Sequence, residues 1–282
     1  MTKVKELFGL NTSSEGIDWK KTVTNQHCPY LDKGCIKTRK SQPEIAIGTC
    51  TMTYGKEGIN PIIICPHRLL EKRQIFTDCL HLLTTHVPGN ELHIVSEIQI
   101  PGGNVDYFLV SARNGKVKDF VGIELQTMDT TGTVWPERER FLESVGVEAD
   151  DEVTSSKSSY GMNWKMTAKT ILVQLHHKIQ TFEHLNKHLV LVVQDPLLDY
   201  MKANFSFSHV EEAKVGDPLH FHSYSLKEKK NDQLGLNLES RLSTDTDGMA
   251  ICLGLQAEAR VELLEIVAKL EAKMSEHTLF TL

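Results

Sequence analysis

Two carboxylates and an amide stand where strand residues ordinarily pack. Asp106 follows the turn signal Pro101-Gly102-Gly103-Asn104, and Glu124 sits inside the apolar run Val121-Gly122-Ile123-Glu124-Leu125, two residues before Gln126. Alternation over 91–100 and 104–110, and the apolar, β-branched run 119–127, predict three consecutive strands. Strand periodicity puts Glu124 and Gln126 on one face. An acid at one strand start, with acid-x-polar on the neighbouring strand, suits a hard divalent cation bound through oxygen. A solvated strand face is the plainer reading. The apolar neighbours of Glu124 weigh against it, because a buried carboxylate needs a partner or a metal.

Whether the two acids can share a cation depends on the turn at Arg113-Asn114-Gly115. A two-residue Asn114-Gly115 loop in regular register leaves Asp106 and Glu124 on opposite faces. A three-residue loop pairs Ala112 with Lys116 and Asp106 with Gly122, which brings Glu124 diagonally beside Asp106. A bulge that restores the same parity has the same effect. The longer loop is the expectation.

A second constellation is made of sulfur. Cys28, Cys35, Cys50 and Cys65 are separated by 6, 14 and 14 residues and neighbour the turn formers Pro29, Gly34, Gly48 and Pro66. Four thiolates presented by turns suit a closed tetrahedral site for zinc or a single iron, although the tight C-x-x-C knuckle is missing. Such a site would fold a segment with little core of its own. Four unrelated buried thiols are the alternative, and His27 or His67 could replace one ligand. Cys79 and Cys252 read as core residues.

Asp106 with Glu124-x-Gln126 resembles the PD-(D/E)xK nuclease core in the variant where Gln replaces the usual Lys. The wider wording, Pro-Gly-Gly-Asn-Val-Asp-Tyr followed by Glu-Leu-Gln-Thr-Met-Asp-Thr-Thr-Gly, resembles the NotI-type restriction endonucleases over roughly residues 28–195. The resemblance implies an α/β fold with a mixed central sheet flanked by helices, preceded by a four-cysteine module whose family metal is iron. It implies a type II restriction endonuclease using Mg²⁺ at Asp106 and Glu124, with Gln126 orienting water and a third acid. That acid is taken as Glu97, nearer the turn, with Glu91 the alternative. It further implies double-stranded DNA as partner, a G·C-rich palindromic site, a homodimer, and a DNA methyltransferase in the same host. Arg or Lys is needed to read guanines, and Arg138, Arg140, Lys157 and Lys165 are the candidates. A nuclease of loose specificity, for defence or repair, and a metal-stabilised DNA-binding protein without catalysis are the other readings.

The remaining elements must carry these groups. The chain of 282 residues has a net charge of −6, so DNA contact requires a local basic groove. No apolar run approaches the roughly 20 residues needed to cross a bilayer, and the N-terminus lacks the apolar core of a signal peptide, which gives a cytoplasmic expectation and no membrane partner. An N-terminal arm and cysteine module are expected over 1–70 and a nuclease core over 71–282. Within the core, 127–162 is read as a charged, Ser-rich, DNA-contacting insertion. One helix is predicted over 67–86 and a longer one from 161 to about 188, striped by Trp164, Ala168, Ile171, Leu175, Ile179, Phe182 and Leu185. Leu189 to Val193 reads as a central strand, 219–242 as an edge hairpin, and Gln256 to Met274 as an amphipathic helix.

Overall fold

The computed structural model describes residues 3–55, 60–149, 151–155, 160–229 and 233–255, together with 267–268 and 271–272. The expected amphipathic helix of the tail lies almost wholly outside these residues. The N-terminal part runs β1 (Val4–Leu7), β2 (Leu10–Asn11), α1 (Trp19–Asn25), β3 (His27–Cys28), β4 (Lys33–Gly34), β5 (Thr38–Arg39), β6 (Gln42–Ala46), β7 (Thr49–Tyr54) and β8 (Asn60–Ile63). Next come a 3-10 segment Pro66–Arg73, α2 (Gln74–Asp78), β9 (Glu91–Ile100), β10 (Gly103–Arg113) and β11 (Lys116–Gln126). The chain continues with β12 (Thr130–Thr131), α3 (Trp135–Ser144), α4 (Asp151–Thr154), β13 (Gly161–Met162), α5 (Trp164–His184) and β14 (His188–Gln194). The last elements are α6 (Asp195–Asn204), β15 (Glu211–Glu212), β16 (Leu219–Glu228), β17 (Leu234–Thr244) and α7 (Thr246–Cys252). Among the described residues no helix is long and apolar enough to cross a membrane.

Seven strands form the main sheet in the order β15-β17-β16-β14-β11-β10-β9. β11, β14 and β16 are parallel, and the other neighbours are antiparallel. Parallel pairing needs a crossover, which α5 supplies between β11 and β14, and α6 between β14 and β16. The sheet is therefore mixed and α/β in class, as expected. β14 is buried at all seven positions, as a central parallel strand should be. The hairpin of β16 and β17 is present, but β16 lies inside the sheet and the short β15 flanks β17. It is therefore no edge hairpin.

One core cluster packs α5 and α6 on one sheet face through Phe108, Ile171, Leu175, Ile179, Phe182, Leu189 and Leu191. The other face carries Leu109, Val121, Ile123, Val190 and Tyr224 against Leu69, Ile75 and Phe76. Those last residues come from the stretch predicted as one helix over 67–86. Left-handed Lys72 and Arg73, at φ +51° and +56°, break it into 3-10 and α pieces. α3 also departs from expectation. Its Trp135, Phe141 and Leu142 are buried, and so are Glu137, Arg138 and Glu139, with Arg138 paired to Glu139 and Glu137 to Arg140 and Lys3. Residues 135–144 of that charged stretch are thus a packed helix.

The N-terminal sheet, ordered β2-β1-β7-β8, is joined to the main sheet by polar side chains. Gln194, at the end of β14, accepts from Ile63 N at 2.8 Å and donates to Pro61 O at 2.7 Å, continuing the backbone pairing across the joint. Arg68 is fully buried. Its Nε donates to Glu6 at 2.8 Å, Nη1 to Glu71 at 2.8 Å and Nη2 to Leu234 O at 3.0 Å, with Tyr30 5.1 Å beneath the guanidinium. One cation thereby ties β1, the cysteine segment, the 3-10 segment and β17. Arg68→Ala should lower stability by about 3–5 kcal/mol, since it leaves Glu6 charged and unpaired. In chemical denaturation, Glu6→Gln combined with Arg68→Met should cost less than the sum of the two single changes.

On the second face, His220 and His222 are completely buried. His188 packs edge-on to His220 at 5.3 Å, His81 stacks on His222 at 6.0 Å, and Cys79 lies 3.8 Å from His222 Nδ1. Burial, then His188, hold His220 down to about 4, with the Asp217 carbonyl opposing and His81 adding. Burial, then Arg241, hold His222 down to about 3, with His220 and His81 adding. Both folded values lie below the ordinary 6.5, so the stability tied to neutral imidazoles is complete above pH 6.5. It is lost as pH falls below that value, by up to about 1.4 kcal/mol per pH unit for each histidine. His220→Gln should therefore flatten the acid limb between pH 6.5 and 4.5 by about one proton. Parallel limbs for variant and parent in urea titrations would contradict this.

Candidate active site

The site is set by a register correction. Asn114 and Gly115 form a two-residue loop at φ +53° and +67°, with Arg113 facing Lys116 and Ala112 facing Val117. Both loop residues have positive φ, as a type I′ turn demands. The expected three-residue loop is absent. A bulge between Ala112 and Ser111 shifts the pairing by one, so that Ser111 faces Asp119 and Tyr107 faces Ile123. Continued one step, that register places Asp106 opposite Glu124 on the sheet face covered by α5. Gly122 lies on this face too: a Cβ there would stand 2.4 Å from Phe182 Cζ.

Each carboxylate is anchored by one oxygen. Asp106 Oδ2 accepts from Leu125 N at 2.8 Å, and Glu124 Oε1 accepts from Lys178 Nζ at 2.6 Å. Lys178 also donates to Asn104 O. Burial lifts Glu124 to about 7; the Lys178 hydrogen bond opposes this and the Asp106 charge adds to it. Burial also lifts Asp106, against the pull of the Leu125 amide and Lys178 and with Glu97 adding. Two like charges held in a dry setting are poised to accept a cation. Gln126 is half-buried, and its Nε2 donates to Thr127 O at 2.6 Å.

Glu97 lies opposite Asp106 by the β9–β10 register, and its φ of +57° is unusual for a non-glycine residue inside a strand. Glu97, Asp106, Tyr107, His67 and Lys33 line one cavity of about 260 Å³, which Glu124 and Gln126 do not line. Glu91 is exposed at the far end of β9. The structure thus brings Asp106 to both groups, Glu124 on one side and Glu97 on the other.

Cys28, Cys35, Cys50 and Cys65 are free thiols that line one small cavity of about 10 Å³, together with Lys37 and His67. Burial, then the neighbouring sulfurs, push the Cys50 thiol up. Burial raises Cys65 as well, with Lys37 opposing. Among the described residues, no group of three or more His, Cys, Asp or Glu stands in metal-ligand geometry. The donor set still suits a thiophilic ion, because four sulfur atoms line one cavity beside Lys37. His67 borders this cavity and the Asp106 cavity alike.

The expected DNA-reading cations are placed differently from one another. Arg138 is buried, paired with Glu139, bonded to Ile47 O at 2.9 Å and packed on Trp135, so contact with a base would require it to leave these partners. Arg140 pairs with Glu137 at 2.9 Å. Lys165 is exposed in the first turn of α5, and Lys157 lies outside the described residues. The sequence reading missed Lys178. Its signal was available: it falls three residues after Leu175 and four before Phe182, a charge on the apolar stripe.

The family described as Restriction endonuclease NotI matches residues 19–233. That span holds all four cysteines, both carboxylates, Gln126 and α5. No curated protein matches the chain. The match covers well over half of the sequence, and the paired acids lie inside it. The chain therefore belongs to the NotI restriction endonuclease family and is a type II, site-specific deoxyribonuclease.

Proposed function

We propose that this nuclease hydrolyses duplex DNA with Mg²⁺ held by Asp106 and Glu124, at a G·C-rich palindromic site read by a homodimer. The reading is supported by one arrangement: Asp106 accepts from the Leu125 amide, next to Glu124, while Lys178 holds Glu124 from α5. A bound Mg²⁺ supplies a polarised water and neutralises charge growing on the phosphate oxygens. The protein's part is to present the ligands. Leu125 N fixes one Asp106 oxygen and Lys178 fixes one Glu124 oxygen, which leaves the second oxygen of each for the ion. Glu97, which lines the same cavity as Asp106, is the proposed third acid.

Gln126 has no titratable proton, so it can orient the attacking water but cannot take its proton. With its Nε2 given to Thr127 O, the amide oxygen is the group left to accept from that water. The base must come from elsewhere, such as a second metal-bound hydroxide or a substrate phosphate. A two-fold protein matches a palindrome and cuts both strands. Arg140, Lys157 and Lys165, with Arg138 if it is released, are the proposed guanine readers. The product of such an enzyme endangers its own host's DNA, and a methyltransferase acting on the same site is the expected counterpart.

Asp106→Asn and Glu124→Gln should each slow Mg²⁺-dependent cleavage by at least about a thousandfold, while DNA binding in Ca²⁺ changes by less than about tenfold. Digestion of long DNA followed by run-off sequencing of the ends reads this directly. Discrete ends from the parent and none from the variants are expected; a smear from the parent would replace the site-specific reading with a loose one.

The four-cysteine cavity is proposed to hold one iron or zinc, which would fix the segment 28–65 against the core. Elemental analysis should give about one such ion per chain. Cys50→Ser should lower the ion content and the melting temperature together, and a metal-free protein that is folded and active would refute the assignment.

A further inference from the structure

Lys178 is a charge in the buried face of α5, where its neighbours are Leu175, Ile179 and Phe182. A buried ammonium is strongly disfavoured without hydrogen-bonded partners of opposite charge or dipole. Here the surroundings are built to receive it. Nζ donates to Glu124 Oε1 at 2.6 Å and to Asn104 O. The carbonyl arrives because the turn Gly102-Gly103 lies directly on α5. A Cβ at Gly102, whose φ is +97°, would stand 2.3 Å from His177 O, and one at Gly103 would stand 3.3 Å from Lys178 Cε. Turn, helix and strand therefore converge on one ammonium. Its charge also reaches Asp106, whose carboxyl it draws downward against burial.

The strand position that carries Lys in the commoner form of this core is Gln126, which brings no charge. We infer that Lys178 is a positioning residue of the nuclease site. Its ammonium fixes the Glu124 carboxylate by Oε1 and acts as a standing counter-charge that a divalent cation must share the two acids with. This rests on the reading that Asp106 and Glu124 hold the cation. It carries an unusual consequence. Removing the ammonium takes away a repulsive unit charge a few ångströms from the ion, which strengthens ground-state metal binding. The same change frees Glu124 to rotate, so the ion and its water lose the orientation that hydrolysis needs. Metal affinity and rate should move in opposite directions. A loss of folding or of a simple ligand moves both down together.

The test uses the full chain. Ca²⁺ binding is measured by calorimetry at pH 8.5 without DNA, and single-turnover cleavage is measured in saturating Mg²⁺. Lys178→Met should bind Ca²⁺ about tenfold more tightly and cleave about a hundredfold more slowly, and Lys178→Arg should recover much of both properties. Ca²⁺ affinity that is unchanged or weaker in Lys178→Met, or cleavage that is unchanged, overturns the inference. If thermal melting shows that Lys178→Met does not fold, Lys178→Gln, which keeps a donor and drops the charge, is judged by the same two criteria. Parent and Asp106→Asn protein serve as the control for the underlying reading. Should they bind Ca²⁺ equally, the assignment of the cation to these acids fails. Should Asp106→Asn lose binding while Lys178→Met gains none, only the role of Lys178 fails.

Discussion

A buried glutamate held close to a half-buried aspartate is the constraint on which this structure turns. Each carboxylate in isolation would shed its charge by taking a proton, and Glu124 is lifted to about 7 for that reason. The fold keeps the pair within reach of ionisation by supplying compensating groups from three elements. The Leu125 amide comes from β11, the Lys178 ammonium from α5, and the Asn104 carbonyl holds that ammonium from β10. Features that look unrelated in the chain serve this arrangement. The bulge at Ser111 and Ala112 restores the face shared by Asp106 and Glu124, and the Gly102-Gly103 turn lets β10 start against the backbone of α5.

The N-terminal segment is not a passive neighbour of this site. Leu31, Lys33 and Ile36, from the loops between the cysteines, form one wall of the cavity into which Asp106 and Glu97 open. His67, two residues after Cys65, borders both that cavity and the cysteine cavity. His67 thus brings the cysteine segment to the edge of the cavity that the acids line. Arg68 adds a second tie, since its guanidinium spans from β1 to β17 and carries Tyr30 on its face. Such a buried cation contributes little net stability relative to an apolar substitute, but it tolerates few alternative arrangements of its partners.

Net charge gives a poor guide to how this nuclease meets DNA. The total of −6 includes acids that pair inside the protein, such as Glu137 and Glu139 against Arg140 and Arg138 in α3. Residues 1–80 hold 12 Lys and Arg against 8 Asp and Glu, so the segment that walls the Asp106 cavity is also the more basic part of the chain. A polyanion is met by the local field around the site, and the distant acids are largely screened at physiological salt.

The sequence by itself determined the strands around the acids, the long helix α5, the buried strand β14, and the shared face of Glu124 and Gln126. Those are consequences of hydrophobic period and turn chemistry, which act over a few residues. It determined family membership as well, because the acids and glycines of that stretch stand in a distinctive order. Tertiary structure decided what depends on partners far apart in the chain. The two-residue loop and the bulge could not be told from a longer loop, since both give the same parity. The break at Lys72 and Arg73 in the predicted helix follows from where Arg68, Leu69 and Leu70 must be buried. Arg138 looks like a surface charge until Glu139, Ile47 and Trp135 close around it. Lys178 looks like an interruption of an apolar stripe, and only the meeting of α5 with Asn104 and Glu124 gives it a partner. A local pattern says which residues face inward; which charges meet there is settled by the packing of elements that the pattern does not relate.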